Sequence, residues 1–223
     1  MEAVQIESQR AVIERTEAFV KETLAADSTG HDWWHINRVR NVAVKLAKSE
    51  GADEYVVELA ALLHDIADWK FNGGDITAGA KKAQAWLQDL GVEEHIQARV
   101  ARIILTVSYK GAGVKNEIDS LEGQCVQDAD RIDALGAIGI ARTFAYGGHF
   151  NRVMYDPDEK PVQHQTFEQY KSAKGTTVNH FYEKILLLKD RLNTKSAIEM
   201  AEHRHKFVED FLSEFYDEWE GRK

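Results

Sequence analysis

The sequence predicts an all-α protein that forms a single domain, with its helices packed as a bundle. Apolar residues recur at helical spacing along most of the 223 residues, and an alternation of period two is sustained nowhere. Both prolines, Pro157 and Pro161, fall in one segment, so the rest of the chain lacks the strongest helix breaker. No internal repeat or low-complexity tract divides the chain, which indicates one domain over residues 1–223.

Composition limits the classes of function that fit this chain. With 28 basic and 37 acidic residues, the formal charge of -9 argues against broad binding to nucleic acids or anionic membranes. The single Cys125 excludes an intrachain disulfide and a cysteine-based zinc site, and it favours a reducing compartment. No apolar run has the length of a membrane span, and residues 1–10 do not resemble a secretion signal. We therefore expect a cytoplasmic monomer or homodimer that binds neither nucleic acids nor membranes.

Helical patterns follow one another along the chain. They predict helices over about residues 2–26, 33–49, 56–69, 75–90, 93–108, 118–146, 176–192 and 195–219. The turn DSTGHD at 27–32 supplies breakers and a cap before the second helix, and Gly51 ends that helix. Residues 147–165 are a long irregular segment, which we interpret as a flap or lid rather than a linker.

The helix predicted from Val56 to Trp69 is apolar on nearly every side, which is typical of the centre of a globular core. Its last turn nevertheless carries His64, Asp65 and Asp68. Such groups are costly to bury unless they are paired, protonated or bound to a metal. This turn is therefore the first candidate for a functional site.

Two further polar residues fall on predicted helices at positions that should be buried. His35 lies on the apolar stripe of the second helix, and Asp130 lies in the middle of the 118–146 pattern. Each could be unremarkable by itself: a core histidine, or an aspartate on a solvated face. Together with His64 and Asp65, however, they form a set of imidazole and carboxylate ligands that suits a divalent metal. Four such ligands leave two octahedral positions for water, which is typical of hydrolytic metal sites.

At these residues the chain resembles the HD-domain metal-dependent phosphohydrolases, whose signature is H…HD…D. The signature is matched by His35, by His64 with Asp65, and by Asp130, within HDWWHINRV, ALLHDIADW and QDADRIDALGAIGIART. The resemblance covers about residues 28–146. The tail AEHRHKFVEDFLSEF, within the predicted C-terminal helices of about 176–219, also resembles the YedJ/YpgQ-type branch of this family.

The resemblance implies a single all-helical HD domain that hydrolyses a small phosphorylated molecule, a nucleotide in many members. In that branch the reaction would convert a nucleoside triphosphate to a monophosphate and pyrophosphate. The implied cofactor is one divalent ion (Mn, Ni, Co, Fe, Zn or Mg), because Thr106 and Ser108 stand where a histidine for a second metal would be expected. Two alternatives stay open: a phosphatase for nucleoside monophosphates or other small phosphoesters, and a non-catalytic sensor of metal or nucleotide.

Asp68 is the candidate catalytic residue. It follows His64 by four residues and Asp65 by three, so on a continuing helix it would share their face and reach a water beside the metal. The resembling enzymes often carry an acidic residue here, and its implied role is general base. The alternative is an ion pair between Asp68 and Arg38 or Lys70.

Three basic residues are candidates for binding substrate phosphate. Arg38 lies one turn after His35 and could clamp a phosphate, although an ion pair with Asp133 is an equally good interpretation. Lys110 lies on a glycine-containing loop with Lys115, where most lysines are simply solvated. His203 and His205, by contrast, are predicted to be surface residues of the last helix.

Overall fold

The structure is a computed structural model that describes residues 2–25, 32–67, 75–108, 116–163, 166, 168–169 and 175–223. Throughout these ranges the regular structure is helical, without a β-strand, so the all-α prediction is confirmed. The helices are α1 (Glu2–Thr23), α2 (Trp33–Glu50), α3 (Glu54–Leu63), α4 (Ala78–Asp89), α5 (Glu94–Val107), α6 (Leu121–Asp133), α7 (Gly136–His149), α8 (Asn179–Glu183) and α9 (Lys195–Trp219).

The helices in these ranges are too short or too polar to cross a lipid bilayer. The expected cytoplasmic location and the monomeric or homodimeric state stay predictions. The chain forms two compact units, residues 1–108 with 116–129, and residues 109–115 with 130–223. Helix α6 runs unbroken through residues 129 and 130, where one unit gives way to the other. That the whole chain folds as a single domain also stays a prediction.

Helix α3 is the centre of the first unit. It packs against α1, α2 and α5, while α4 packs on α5. Every residue from Leu59 to Leu63 is fully buried, as expected for a helix without a polar face. The Asp53 side chain caps the start of α3 by accepting a hydrogen bond from the Val56 backbone N–H at 3.3 Å.

The end of α3 differs from the sequence prediction. The helix stops at Leu63 rather than continuing to Trp69. The Ile66 N–H donates to the Leu63 carbonyl, three residues back, at 3.2 Å, so the chain tightens into a turn directly after the helix. Helix α4 packs against this turn: a Cβ atom at Gly79 would lie 3.2 Å from the Ala67 carbonyl oxygen.

The second unit is built around the contact between α7 and α9. The rings of Phe144 on α7 and Phe211 on α9 meet edge to face at 5.9 Å between centroids. The prediction of one long helix over 118–146 is wrong, because the chain breaks between α6 and α7. At the break Gly136 has a φ of +73°, a left-handed conformation that glycine adopts without strain.

The prediction of one helix over 176–192 is also wrong. That stretch contains the short α8 and two 3₁₀ turns, Ile185–Leu187 and Lys189–Arg191. Lys184, with φ -140° and ψ -59°, leaves the helical region and ends α8. The preceding segment 150–163 is anchored to this stretch, since Thr177 N–H donates to the Val153 carbonyl at 2.9 Å. A lid movement of 147–165 stays a prediction.

Candidate metal centre

His35 is positioned by the first turn of α2. The Asp32 side chain caps that turn by accepting a hydrogen bond from the His35 backbone N–H at 2.9 Å. The imidazole of His35 is fully buried beside Ile36 and Val39, which are fully buried as well. Its predicted place on the apolar stripe is therefore confirmed.

His64 is the residue that ends α3, and its side chain is only 2% exposed. Its Nδ1 atom lies 2.8 Å from the carbonyl oxygen of Ala61, one turn earlier in the helix. Because a carbonyl can only accept, Nδ1 carries the proton, and in the neutral imidazole Nε2 presents its lone pair. That Nε2 lies 3.3 Å from Nε2 of His35. A carbonyl partner on the far nitrogen is the arrangement that orients metal-ligating histidines in general.

Asp65 completes a triangle with the two histidines. Its Oδ2 atom lies 3.5 Å from Nε2 of His35 and 3.6 Å from Nε2 of His64. Ligands bonded to an ion at about 2.1 Å lie about 3.0 Å apart at right angles and about 4.2 Å apart across the ion. The observed separations fall within that interval, so the three atoms could share one cation.

Asp130 approaches the same point from α6. One ligand atom each from His35, His64 and Asp130 lie within 4.8 Å of one another. Asp130 is half-buried, three residues before the end of α6. The structure thus brings together all four residues that the H…HD…D pattern singles out.

The chemistry of this group fits a divalent cation. A proton shared between the two Nε2 atoms would satisfy the two histidines, but it would leave the charges of the two carboxylates unbalanced. A divalent cation would satisfy both imidazoles and also balance the charges of Asp65 and Asp130. Cys125, also on α6, is not a member of this group, and burial raises the pKa of its thiol to about 12.

Of the other predicted site residues, the structure describes Arg38 but not Asp68 or Lys110. Arg38 is half-buried on α2, and Asp133, its considered partner, pairs with Arg142 at 3.0 Å. Asp68 and Lys110 lie outside the described residues. The spacing argument for Asp68 required α3 to continue, which it does not, so its catalytic role stays a prediction without that support.

The prediction that both late histidines are surface residues is wrong for one of them. His203 is exposed, but the side chain of His205 is only 14% exposed and lies 3.5 Å from Glu209. The available signal was the apolar stripe of α9, since His205 falls between the buried Ala201 and Val208 at helical spacing.

Gln127 was not singled out in the sequence, yet it holds α6 in place. Its side chain is almost fully buried, and its Nε2 donates to the carbonyls of Thr106 at 3.3 Å and Val107 at 3.2 Å. It also exchanges hydrogen bonds with the Asn116 amide at 2.9 and 3.0 Å. Because its partners are distant in sequence, no local pattern around Gln127 reveals this role.

Known proteins share this arrangement at the level of sequence and fold. The family model described as HD domain matches residues 33–135. The YpgQ protein of Bacillus subtilis is 36% identical over 200 residues, which cover 89% of each chain. A solved structure from Lactobacillus plantarum has a TM-score of 0.84 at 36% identity and covers 95% of this chain and 98% of its own.

Two further solved structures bear on function. An HD-superfamily hydrolase from Bacillus thuringiensis has a TM-score of 0.73 at 45% identity, with 95% of this chain and 98% of its own covered. YpgQ from Bacillus subtilis, crystallised in complex with ADP, has a TM-score of 0.71 at 31% identity, with 92% and 97% covered.

This chain belongs to the HD-domain family, a class of metal-dependent phosphohydrolases. Within the family it belongs to the YpgQ-like branch. Both the family and the branch that the sequence indicates are thereby confirmed. The family binds divalent metals, and the cluster of His35, His64 and Asp130 is where this chain has the residues to do so.

Proposed function

We propose that this protein hydrolyses nucleotides, converting a nucleoside triphosphate to a monophosphate and pyrophosphate with one divalent cation held by His35, His64, Asp65 and Asp130. The observation that carries the proposal is the convergence of these side chains, with Nε2 of the two histidines 3.3 Å apart and Asp65 Oδ2 within 3.6 Å of both. Two neutral imidazoles and two carboxylates match the charge of a divalent ion.

A cation bound there would lower the pKa of a coordinated water and offset charge that develops on phosphate. The side chains of the protein would orient the ligands and bind the phosphates. The bond from His64 Nδ1 to the Ala61 carbonyl keeps the ring from rotating out of the site. Arg38 and Lys110 would hold the phosphates.

The proposed reaction is attack of a water oxygen on the α-phosphorus. The bond from that phosphorus to the oxygen bridging the α- and β-phosphates breaks, and pyrophosphate leaves. Asp68 would accept the proton of the attacking water, a contribution of typically about 10²–10⁴-fold in rate.

The nucleotide assignment is supported by one relative and by the resemblance of the sequence. YpgQ from Bacillus subtilis was crystallised with ADP, a molecule that contains a base, a ribose and a pyrophosphate linkage. The identity between the two chains, 31% in that structural comparison, makes a related ligand the natural first candidate here.

The test is a turnover screen over nucleoside tri-, di- and monophosphates with Mn²⁺, Ni²⁺, Co²⁺ and Mg²⁺, in which pyrophosphate and orthophosphate are scored separately. From nucleoside triphosphates we expect pyrophosphate and monophosphate in equal amounts. The reaction should occur with at least one of these metals and should not occur in their absence. Release of orthophosphate alone from a nucleoside triphosphate would replace this proposal with the phosphomonoesterase alternative. His64→Ala serves as the control that excludes a contaminating hydrolase.

A further inference from the structure

Each of the three residues that follow Asp130 makes a bond outside α6. The Arg131 guanidinium donates to the Arg191 carbonyl. The Ile132 carbonyl accepts from Arg204, and the Asp133 carboxylate pairs with Arg142 at 3.0 Å. The last turn of the helix that carries Asp130 is therefore held at consecutive positions by residues outside that helix.

Arg204 makes the contact that acts most directly on the helix backbone. The last carbonyls of a helix have no partner within it, and a cation there also meets the negative end of the helix dipole. Ile132 O accepts the Leu135 N–H at 3.0 Å and Arg204 Nη1 at 3.0 Å. Arg204 thus supplies a charged donor to the second acceptor position of that carbonyl.

The aliphatic part of the Arg204 side chain packs closely against the backbone at Gly136. A Cβ atom at Gly136, the first residue of α7, would lie 3.2 Å from both Cβ and Cγ of Arg204. That approach is tighter than ordinary van der Waals contact, and Gly136 also has its φ of +73°. The chain between α6 and α7 therefore folds directly against the Arg204 side chain, which limits where the guanidinium can lie.

The ion pair of Asp133 with Arg142 reinforces the same corner. The Asp133 side chain is only 4% exposed and that of Arg142 is 20% exposed, so solvent screens the pair weakly. One charged contact to the backbone and one to a side chain give the last turn of α6 little freedom to rotate or unwind.

We propose that Arg204 is a positioning residue for the metal centre. By holding the Ile132 carbonyl it keeps the last turn of α6 in the orientation in which the Asp130 carboxylate shares a cation with His35 and His64. The proposal rests on the proposed function, because it takes Asp130 as a ligand. Residues that orient metal ligands from outside the coordination shell typically change metal affinity by about 10–100-fold when they are lost.

The experiment uses Arg204→Met, which removes the guanidinium but keeps an unbranched stem beside Gly136. Mn²⁺ affinity is measured by titration calorimetry, and the visible spectrum of the Co²⁺-loaded protein reports the coordination geometry. We expect affinity about 10-fold weaker than in the wild type and an altered Co²⁺ spectrum. Arg204→Lys keeps a charged donor and should recover part of the affinity.

Arg222→Met is the matched control. Arg222 Nη2 also donates to a carbonyl, that of Tyr216 at 3.4 Å, and it lies just beyond α9 in an exposed position. The same chemical change there should leave the Mn²⁺ affinity and the Co²⁺ spectrum as in the wild type.

A lower melting temperature of Arg204→Met with wild-type Mn²⁺ affinity and Co²⁺ spectrum would overturn the proposal and make Arg204 purely structural. If the Met variant does not fold, Arg204→Lys and Arg204→Gln decide by the same two measurements. Asp130→Asn separates the two levels of inference: Mn²⁺ binding unchanged in that variant would refute the ligand assignment itself, whatever Arg204 does.

Discussion

His64 and Asp130 reach the same site from helix ends that are held in different ways. His64 ends α3 and is oriented from within its own turn, by the Ala61 carbonyl at 2.8 Å. Asp130 precedes the end of α6, whose last turn is bound by arginines from α7 and α9. The comparison shows that the His64 ring is oriented from within its own turn, whereas the turn that follows Asp130 is held by contacts to other helices.

The largest expected effect comes from removing the locally oriented ligand. His64→Ala should lower the affinity for Mn²⁺ by more than about 100-fold, because loss of a direct ligand exceeds the loss of an orienting partner. Metal content after dialysis, measured by elemental analysis, checks this. His95→Ala is the control, since His95 is 64% exposed and pairs only with nearby Glu93 among the contacts described. Full metal occupancy in His64→Ala would remove this residue from the coordination shell.

The second prediction concerns the chain just beyond the turn of His64. Asp68→Asn should reduce turnover by about 10²–10⁴-fold, the usual contribution of a general base, while metal content and melting temperature stay close to the wild type. Steady-state rates at saturating metal, with elemental analysis on the same samples, provide the measurement. Near-normal turnover would exclude Asp68 from the mechanism, and loss of metal would instead make it a ligand.

The third prediction concerns an ion pair at the end of α6, the helix that carries Asp130. Arg142→Met removes the contact between Arg142 and the buried Asp133 carboxylate and should lower the free energy of unfolding by about 2–3 kcal/mol. Urea unfolding followed by circular dichroism measures the change.

The matched control for that variant is Arg102→Met. Arg102 also contacts an aspartate, Asp119, at 3.0 Å, but the two side chains are 56% and 59% exposed. An exposed pair of this kind contributes about 0–1 kcal/mol, so the control should unfold almost as the wild type does. If both variants lost the same free energy of unfolding, burial would not make the Asp133–Arg142 pair more stabilising than the exposed pair.

At neutral pH the smallest effect is expected from Cys125, on the part of α6 that precedes the arginine contacts. Burial, with a smaller contribution from Asp128, raises the pKa of its thiol from 9.0 to about 12. Since the folded thiol keeps its proton to higher pH, the unfolded chain binds fewer protons between pH 9 and 12. Stability should therefore fall across that window, by at most about 1.4 kcal/mol per pH unit, with no effect at pH 7.

Cys125→Val tests this assignment, because it removes the titrating group and retains an apolar side chain. Urea unfolding at pH 7, 9 and 10.5 should show a smaller decline in the variant than in the wild type. Identical pH dependence in both would show that the thiol does not contribute to it.

Much of the fold follows from local patterns. The bounds of α9, Lys195–Trp219, agree with the sequence prediction of 195–219, and those of α2 and α5 differ from their predictions by a residue at the ends. Apolar periodicity, caps and glycines act over a few residues, so they are visible without tertiary structure. The end of α3, the break before Gly136 and the division of 176–192 were mispredicted, since each depends on a turn within an otherwise helical pattern.

By itself the sequence determined the helical class, the buried position of His35 and the set of residues from which a metal site could be built. The order H…HD…D and the apolar stripes around it carry that information, because burial of polar groups on a helix is readable from spacing. Only the tertiary structure decided that the Nε2 atoms of His35 and His64 lie 3.3 Å apart, and that Arg204 holds the Ile132 carbonyl. Such contacts join residues that are remote in sequence, and their distances depend on how whole helices pack.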